Sequence, residues 1–263
     1  MKLASLWRYP VKSMMGEEMN ACEITEKGVR GDRGYGVVDA ETGRLANAKN
    51  PKKWPEMFYY RAAFTDPAIA ASVRITLPTG ETVLSTDEDV NRRLSESFGR
   101  DVHLAVPTGL DIEFEGYIPE GIEELENPGT VFSRTSPNET FFDIAMVHLI
   151  TTSTIDKLRE LAPESRIEPR RFRPNLILDT PDAEGFIEEE WVGKTLWIGD
   201  EVQLRILQPT KRCVMTTLPQ GDLPRDPNVL RTLARQNDGN FGVYAEVIQP
   251  GRVQIGDLIR VGD

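Results

Sequence analysis

The stretch Gly193-Lys-Thr-Leu-Trp-Ile-Gly-Asp-Glu-Val-Gln-Leu-Arg-Ile-Leu207 indicates most directly which kind of fold this chain adopts. Its apolar residues form two short runs, 195–198 and 202–207, of a length common for strands and short for helices. Gly199 and Asp200 lie between the runs and are typical of a sharp bend. The stretch therefore predicts two short β-strands joined by a tight connection.

The same alternation of short runs and bends continues in both directions along the chain. Helical periodicity is limited to 87–98, 153–161 and 227–236, with 85–87 placed to cap the first helix and Gly99 placed to end it. We therefore predict a mainly β fold with a few helices, of the α+β class, that contains a β-barrel domain. Further strands are predicted at 3–9, 34–39, 44–47, 56–64, 72–77, 81–84, 102–106, 146–150, 175–179, 242–247 and 258–261.

The middle of the chain has a different composition. Six glutamates lie between Glu113 and Glu126, and Pro119, Pro128 and Pro137 interrupt the stretch. Such a segment is typical of a linker or a mobile surface loop. We predict an N-terminal β-rich domain over 1–108, a linker or loop over 109–140, and a second domain over 141–263.

Composition excludes several classes of function. The 31 basic and 42 acidic residues give a net charge of −11, which disfavours binding to nucleic acid or to anionic lipid. No apolar run reaches the roughly 20 residues of a membrane span, and no signal peptide is evident. We therefore expect a cytoplasmic monomer. Two cysteines are too few for a four-cysteine iron–sulfur cluster, and two histidines are too few for a histidine-rich metal site.

Basic residues cluster beside proline and small polar residues in three places: Tyr9-Pro-Val-Lys-Ser13, Arg170-Arg-Phe-Arg-Pro-Asn175 and Thr210-Lys-Arg-Cys213. Guanidinium and ammonium groups in such loops can bind a phosphorylated ligand, although an ordinary surface ion pair would explain Lys12 or Arg171 equally well. Lys211 and Arg212 favour the thiolate of Cys213, the form that attacks electrophiles or binds soft metals. The alternative is a buried, inert cysteine, which is our interpretation of Cys22.

Together these motifs resemble the MOSC family, the domains related to the C-terminus of molybdenum cofactor sulfurase. The resemblance rests on Tyr9-Pro-Val-Lys-Ser13, Phe172-Arg-Pro-Asn175, Arg212-Cys213 with Thr216-Thr217, and the closing Gly251-Arg-Val-Gln-Ile-Gly-Asp257. It covers nearly the whole chain and is greatest for the amidoxime-reducing members. It implies an N-terminal β-barrel region packed with a MOSC β-barrel domain, and a molybdenum–molybdopterin cofactor between them.

The resemblance also implies roles for particular residues. Cys213 would be the molybdenum ligand and a catalytic residue, and Asp222 would orient substrate or relay protons, unless it only forms a turn. We interpret His148 as a core histidine. The cofactor would be held by Lys12, Ser13, Arg33, Lys49, Thr151, Thr154, Arg173, Asn175, Thr210, Lys211 and Arg212.

These roles imply a molybdenum-dependent oxidoreductase that reduces N-hydroxylated or N-oxygenated small molecules. Because the chain lacks the cysteines for an iron–sulfur cluster, electrons would come from a separate iron–sulfur, flavin or haem protein. Two alternatives stay open at this point. One is a sulfur carrier that forms a persulfide on Cys213, and the other is a non-catalytic protein that binds or delivers the cofactor.

Overall fold

A computed structural model describes residues 1–109, 111–136 and 140–262. Within these ranges the fold is mainly β, as predicted. The helices are α1 (Val90–Phe98), α2 (Thr152–Leu161) and α3 (Pro227–Gln236). The strands are β1 (Lys2–Arg8), β2 (Glu17–Met19), β3 (Ala21–Thr25), β4 (Gly28–Val29), β5 (Gly36–Asp39), β6 (Arg61–Phe64), β7 (Val73–Thr76), β8 (Thr82–Leu84), β9 (Val102–Ala105), β10 (Glu113–Tyr117), β11 (Val131–Thr135), β12 (Val147–Thr151), β13 (Leu176–Asp179), β14 (Thr195–Ile198), β15 (Val202–Lys211), β16 (Asn240–Gln249), β17 (Gly251–Gln254) and β18 (Ile259–Gly262).

The largest sheet has eight strands in the order β18-β14-β15-β16-β12-β13-β1-β2. The terminal strands of this order, β18 and β2, do not pair with each other, and no closed barrel is detected among the described strands, so the barrel part of the prediction is not confirmed. Strand β2 pairs with one edge of β1, whereas residues 1–3 at the start of β1 make a bridge and backbone hydrogen bonds with residues 256–259 next to β18. Periodicity identifies individual strands, whereas closure depends on tilt and stagger across the whole sheet.

Two strands form within 109–140, the range predicted as a linker or loop. Strands β10 and β11 make an antiparallel hairpin, and the Phe114 side chain is completely buried beside Val38 and Leu45. Glutamates alternate with buried residues along β10. The segment is therefore as acidic as a surface loop, although its side chains alternate with the two-residue period of a strand. Leu110 and residues 137–139 lie outside the described residues, and the domain division itself stays a prediction.

Smaller differences concern individual elements. Residues 56–64 contain a single 3-10 turn, Met57–Tyr59, before β6, and 44–47 form only isolated bridges. Helix α1 ends at Gly99, which has a φ of 63°, as predicted. The predicted cap at 85–87 is wrong, because the Ser85 hydroxyl and the Asp87 carboxylate accept from the backbone of Val73 and Leu84 instead.

No helix in the described part of the chain is long and apolar enough to cross a membrane.

The N-terminal and C-terminal parts of the chain share packing. Strand β1 lies in the large sheet beside β13, and Val214, Met215 and Leu218 pack into the core built mainly by residues 11–102. The Arg173 guanidinium donates to the backbone oxygen of Met14 at 2.6 Å. The segment before β13 and the segment after β15 are thereby brought together around one cavity, with the loop after β1 packed behind its wall.

Candidate functional site

The cavity has a volume of about 800 Å³ and contains seven of the predicted site residues in its wall. This volume lies within the range of small-molecule and cofactor sites. The seven residues are Arg33, Lys49, Arg173, Asn175, Lys211, Arg212 and Cys213. Residues of the second and third basic clusters therefore meet in one cavity wall, together with Arg33 and Lys49.

Among the predicted site residues in the wall, two guanidinium groups have no carboxylate partner in the described residues. Arg173 donates to Met14 and stacks 4.1 Å from the Tyr9 ring centroid, and Arg212 donates to the Phe172 oxygen at 2.7 Å. The Arg212 Nε is buried without a hydrogen-bond partner in the described residues. Burial, reinforced by the charge of Arg33, lowers the pKa of Arg173 to about 10. An anion in the cavity would stabilise both charged groups.

A carboxylate that the sequence analysis missed lies between two lysines. Asp143 Oδ1 accepts from Lys12 Nζ at 2.7 Å, and Asp143 Oδ2 lies 2.9 Å from Lys49 Nζ. Burial raises the pKa of Asp143, but the two ammonium groups outweigh this and hold it well below its usual range. Burial lowers the pKa of Lys12 to about 8 despite Asp143. No local pattern marks Asp143, because its partners lie far away in the sequence.

Asp32, also missed, connects the first cluster to the second. Its carboxylate accepts from the backbone N–H of Tyr9 at 2.7 Å and from Asn175 Nδ2 at 3.0 Å, and it forms an ion pair with Arg33. The predicted residues Ser13, Arg33 and Arg173 have φ values of 64°, 50° and 56°. Non-glycine residues rarely adopt this left-handed conformation, which is concentrated at functional sites.

His148 combines the predicted burial with a place in the cavity wall. It is 5% exposed, and its Nε2 lies 3.2 Å from the Phe241 oxygen and 3.5 Å from Arg212 Nη1. Burial and the adjacent Arg212 charge hold the pKa of His148 well below its ordinary value. The imidazole is therefore neutral at physiological pH and does not add to the positive charge.

Other predicted residues do not line the cavity. Lys12, Ser13 and Thr210 are buried behind its wall, and the Thr210 hydroxyl has no hydrogen-bond partner among the described residues. Thr151 and Thr154 donate to the buried Glu188 carboxylate, so both hydroxyls are engaged away from the cavity.

Asp222 is also outside the cavity wall. It lies on the surface, where it accepts from Arg170 at 2.6 Å and pairs with Arg166 at 2.8 Å. Hydrogen bonds from these arginines lower the pKa of Asp222 to about 2. Gly221 adopts a left-handed φ of 59° in this turn, so the structure supports the turn interpretation of Asp222 and places it outside the candidate site.

Comparison with known proteins gives the following relatives. The chain is 25% identical to mitochondrial amidoxime-reducing component 1 of Homo sapiens, over 98% of this chain and 82% of that protein. It is 24% identical to molybdenum cofactor sulfurase of Homo sapiens over 92% of this chain, which spans 29% of that longer protein. Among solved structures, the YuaD protein of Bacillus subtilis matches 99% of this chain and 94% of its own, with a TM-score of 0.49 and 14% identity.

Two family models match the sequence and leave only a short interval between them. The MOSC N-terminal beta barrel domain matches residues 1–101, and the MOSC domain matches residues 138–260. The three basic clusters lie within these two matches. The chain therefore belongs to the MOSC domain family.

Proposed function

We propose that the cavity binds a molybdenum–pterin cofactor and that the Cys213 thiolate is the metal's protein ligand. The observation that carries the proposal is the convergence of Arg173 and Arg212, which lack carboxylate partners among the described residues, on a cavity whose wall also contains a cysteine. Buried cations of this kind fit a phosphate, and a thiolate fits a soft metal. The relatives named for amidoxime reduction and for molybdenum cofactor sulfuration support the same ligand.

The residues present fit this cofactor. Arg33, Lys49, Arg173, Lys211 and Arg212 would bind phosphate and polar pterin atoms directly, with the Asn175 amide beside them. Lys12, Ser13 and Thr210 would support this wall from behind. Asp143 pairs with both Lys12 and Lys49 and offsets only one of their two charges, so an added anion would share these lysines with it. Thr151 and Thr154 would position α2 through Glu188 rather than touch the cofactor.

Within residues 1–109, 111–136 and 140–262, no group of three or more His, Cys, Asp or Glu side chains could hold a metal. A metal at Cys213 would therefore take its other ligands from the pterin dithiolene and from solvent. When bound, the cofactor would supply redox chemistry and oxygen-atom transfer. The chain's own residues would bind and orient it, limit access of bulk water and hold a small substrate beside Cys213.

We infer that the reaction is the reduction of an N-hydroxylated or N-oxygenated small molecule, as the name of the amidoxime-reducing relative suggests. The N–O bond would be broken, its oxygen would leave as water, and the amidine or amine would be released. The electrons would come from a separate iron–sulfur, flavin or haem protein, because two cysteines cannot hold a four-cysteine cluster in this chain.

Elemental and pterin analysis tests the proposal. Wild type, Cys213→Ala and Cys22→Ala would be expressed in a host that makes the cofactor, and molybdenum and pterin would be measured per protein. We expect near-stoichiometric molybdenum in wild type and in Cys22→Ala, and loss of metal in Cys213→Ala. Cys22 is the matched control, because it is the other cysteine and does not line the cavity.

Two outcomes would contradict the proposal. Absence of molybdenum from wild type, in a host shown to make the cofactor, would exclude a resident metal. A mass increase of one sulfur atom on Cys213 in the same preparation would then favour the sulfur-carrier alternative. Full retention of tightly bound molybdenum in Cys213→Ala would exclude Cys213 as the ligand.

A further inference from the structure

The cavity has a second wall that the function proposed above does not use. Eight of its wall residues lie between 117 and 134, on or near the β10–β11 hairpin. This segment falls in the interval 102–137, which neither family model matches. The hairpin is therefore a feature of this chain that lies outside the family-matched regions and reaches the same cavity.

The chemistry of this wall differs from that of the cationic wall. The hairpin contributes the apolar side chains of Ile118, Leu125 and Phe132 beside the charged Glu124, Glu126 and Arg134, and helix α3 contributes the apolar Leu230 and Ala234. The Glu124 carboxylate is paired with Arg235. The wall residues Arg33, Lys49, Arg173, Lys211 and Arg212, by contrast, are all cationic. Small-molecule sites commonly combine an apolar surface for the body of a ligand with a few polar groups that fix its reactive end.

The hairpin loop is held against α3 by polar contacts. Arg231 donates to the backbone oxygen of Gly121 at 3.1 Å, and Arg235 forms an ion pair with Glu124. Within the loop, Ile122 is 1% exposed and anchors the turn. At its base, the Tyr117 N–H donates to the Lys49 oxygen at 2.7 Å, which connects the hairpin directly to a residue of the cationic wall.

In the cavity wall, Cys213 lies between one cationic residue and two apolar residues of the chain. Arg212 precedes it on the cationic side, and Val214 and Met215 follow it in the cavity wall. The short turn that contains Val214 and Met215 packs against α3. A small molecule that reacts beside Cys213 would therefore extend its remaining atoms toward α3 and the hairpin.

We propose that this apolar wall, formed by Ile118, Leu125, Phe132, Leu230 and Ala234, selects substrates that carry an aromatic or bulky aliphatic body. This inference rests on the proposed function, because it names the substrate class of the same cavity. The wall sets which compounds bind well beside Cys213, while the cationic wall holds the cofactor. Leu125 and Ala234 are specificity-determining residues, and neither takes part in the chemical step.

A matched pair of probes tests the proposal. Benzamidoxime and acetamidoxime differ only in a phenyl or methyl group, so the ratio of their affinities measures contact with the body of the ligand. Binding of each would be measured by equilibrium dialysis on the holoprotein without an electron donor. We expect wild type to bind benzamidoxime at least about tenfold more tightly, because the phenyl group buries more apolar area.

Two variants change this wall in opposite ways. Leu125→Ala removes apolar contact and should lower the affinity ratio roughly threefold to tenfold. Ala234→Phe fills the space for the phenyl group and should abolish the preference for benzamidoxime, with acetamidoxime binding changed less than about twofold. Gln236→Phe is the matched control, since it adds the same ring to an exposed position of α3 outside the cavity wall and should leave the ratio unchanged.

The outcomes separate this inference from the proposed function. Stoichiometric molybdenum together with an unchanged ratio in both variants would overturn the apolar wall and leave the cofactor proposal intact. Equal loss of both probes in Ala234→Phe would also overturn it, because the effect would then not depend on the ligand body. If wild type holds no molybdenum, the proposed function fails, and the dialysis ratio on the same protein still decides whether the wall selects for an apolar body.

Discussion

The segment from Arg166 to Arg173 contains two pairs of arginines that look alike in sequence and differ in the structure. Arg166 and Arg170 lie toward the surface and pair with the Glu168 and Asp222 carboxylates at 2.5–2.8 Å. Arg171 and Arg173 are buried and donate to backbone oxygens. Of the four, only Arg173 lines the cavity. Among these four arginines, the one that fits an anion site is therefore the one that the fold places in the cavity wall without a carboxylate partner.

The largest effect is expected when the Arg173 charge is removed. Arg173→Gln should weaken retention of the anionic cofactor by roughly tenfold to a hundredfold, because a hydrogen bond from a charged donor contributes about 1.5–3 kcal/mol. Arg170→Gln, on the same segment, should leave retention nearly unchanged. The measurement is molybdenum remaining per protein after stepwise dialysis. Equal losses in the two variants would remove the distinction between the surface and cavity arginines.

A second effect depends on pH and on Lys12. Its pKa of about 8 in the folded protein lies below the ordinary value of 10.5. Lys12 therefore loses its charge as the pH rises through about 8, and cofactor retention should fall there. The stability of the cofactor-free protein should change with pH in the opposite direction. Between pH 8 and 10.5 the unfolded chain binds more protons than the folded chain, so the free energy of unfolding rises with pH.

Lys12→Met tests both the expected decrease in cofactor retention and the expected increase in stability at alkaline pH. It should remove the alkaline decrease in retention and flatten the increase in the free energy of unfolding between pH 8 and 10.5. Retention would be followed by molybdenum analysis, and stability by urea titration. Lys52→Met is a suitable control, since Lys52 is an exposed lysine outside the cavity wall. A decrease in retention that persists in Lys12→Met would assign the alkaline effect to another group.

A third effect concerns acid stability. The pKa of His148 is held well below 6.5 in the folded protein, whereas the unfolded chain takes up this proton as the pH falls below 6.5. Stability should therefore decrease on acidification from pH 6.5, by up to about 1.4 kcal/mol per pH unit for one proton. His148→Gln should reduce this slope in urea titrations. His103→Gln, at an exposed position, should not, and a reduced slope there would contradict the assignment.

The smallest effect is expected at Asp222. Asp222→Asn removes exposed ion pairs with Arg166 and Arg170, so it should change the free energy of unfolding little, because solvent screens such pairs. Because Asp222 does not line the cavity, molybdenum content and turnover of an N-hydroxylated substrate should stay as in wild type. A large loss of turnover with normal molybdenum content would restore Asp222 to the catalytic residues.

Local features of the sequence were sufficient to predict the mainly β fold, most strands, the three helices and the family, because periodicity, glycine bends and short motifs involve residues that are close together in the chain. They also indicated seven residues that the structure brings together in the cavity wall. Strand β10 was not predicted, because glutamates on its outer face concealed a strand anchored by Phe114, and no closed barrel is detected among the described strands.

Which of these residues can act together depends on contacts between distant parts of the chain. Asp143 bridges Lys12 and Lys49 across more than ninety positions of sequence, and Asp32 accepts from Asn175 across 143 positions, so neither partnership has a local signal. The same holds for Asp222, whose motif resembled a site but whose side chain pairs with surface arginines. The physical reason is that ion pairing and burial depend on distances in the folded chain, whereas a motif fixes only neighbours along it.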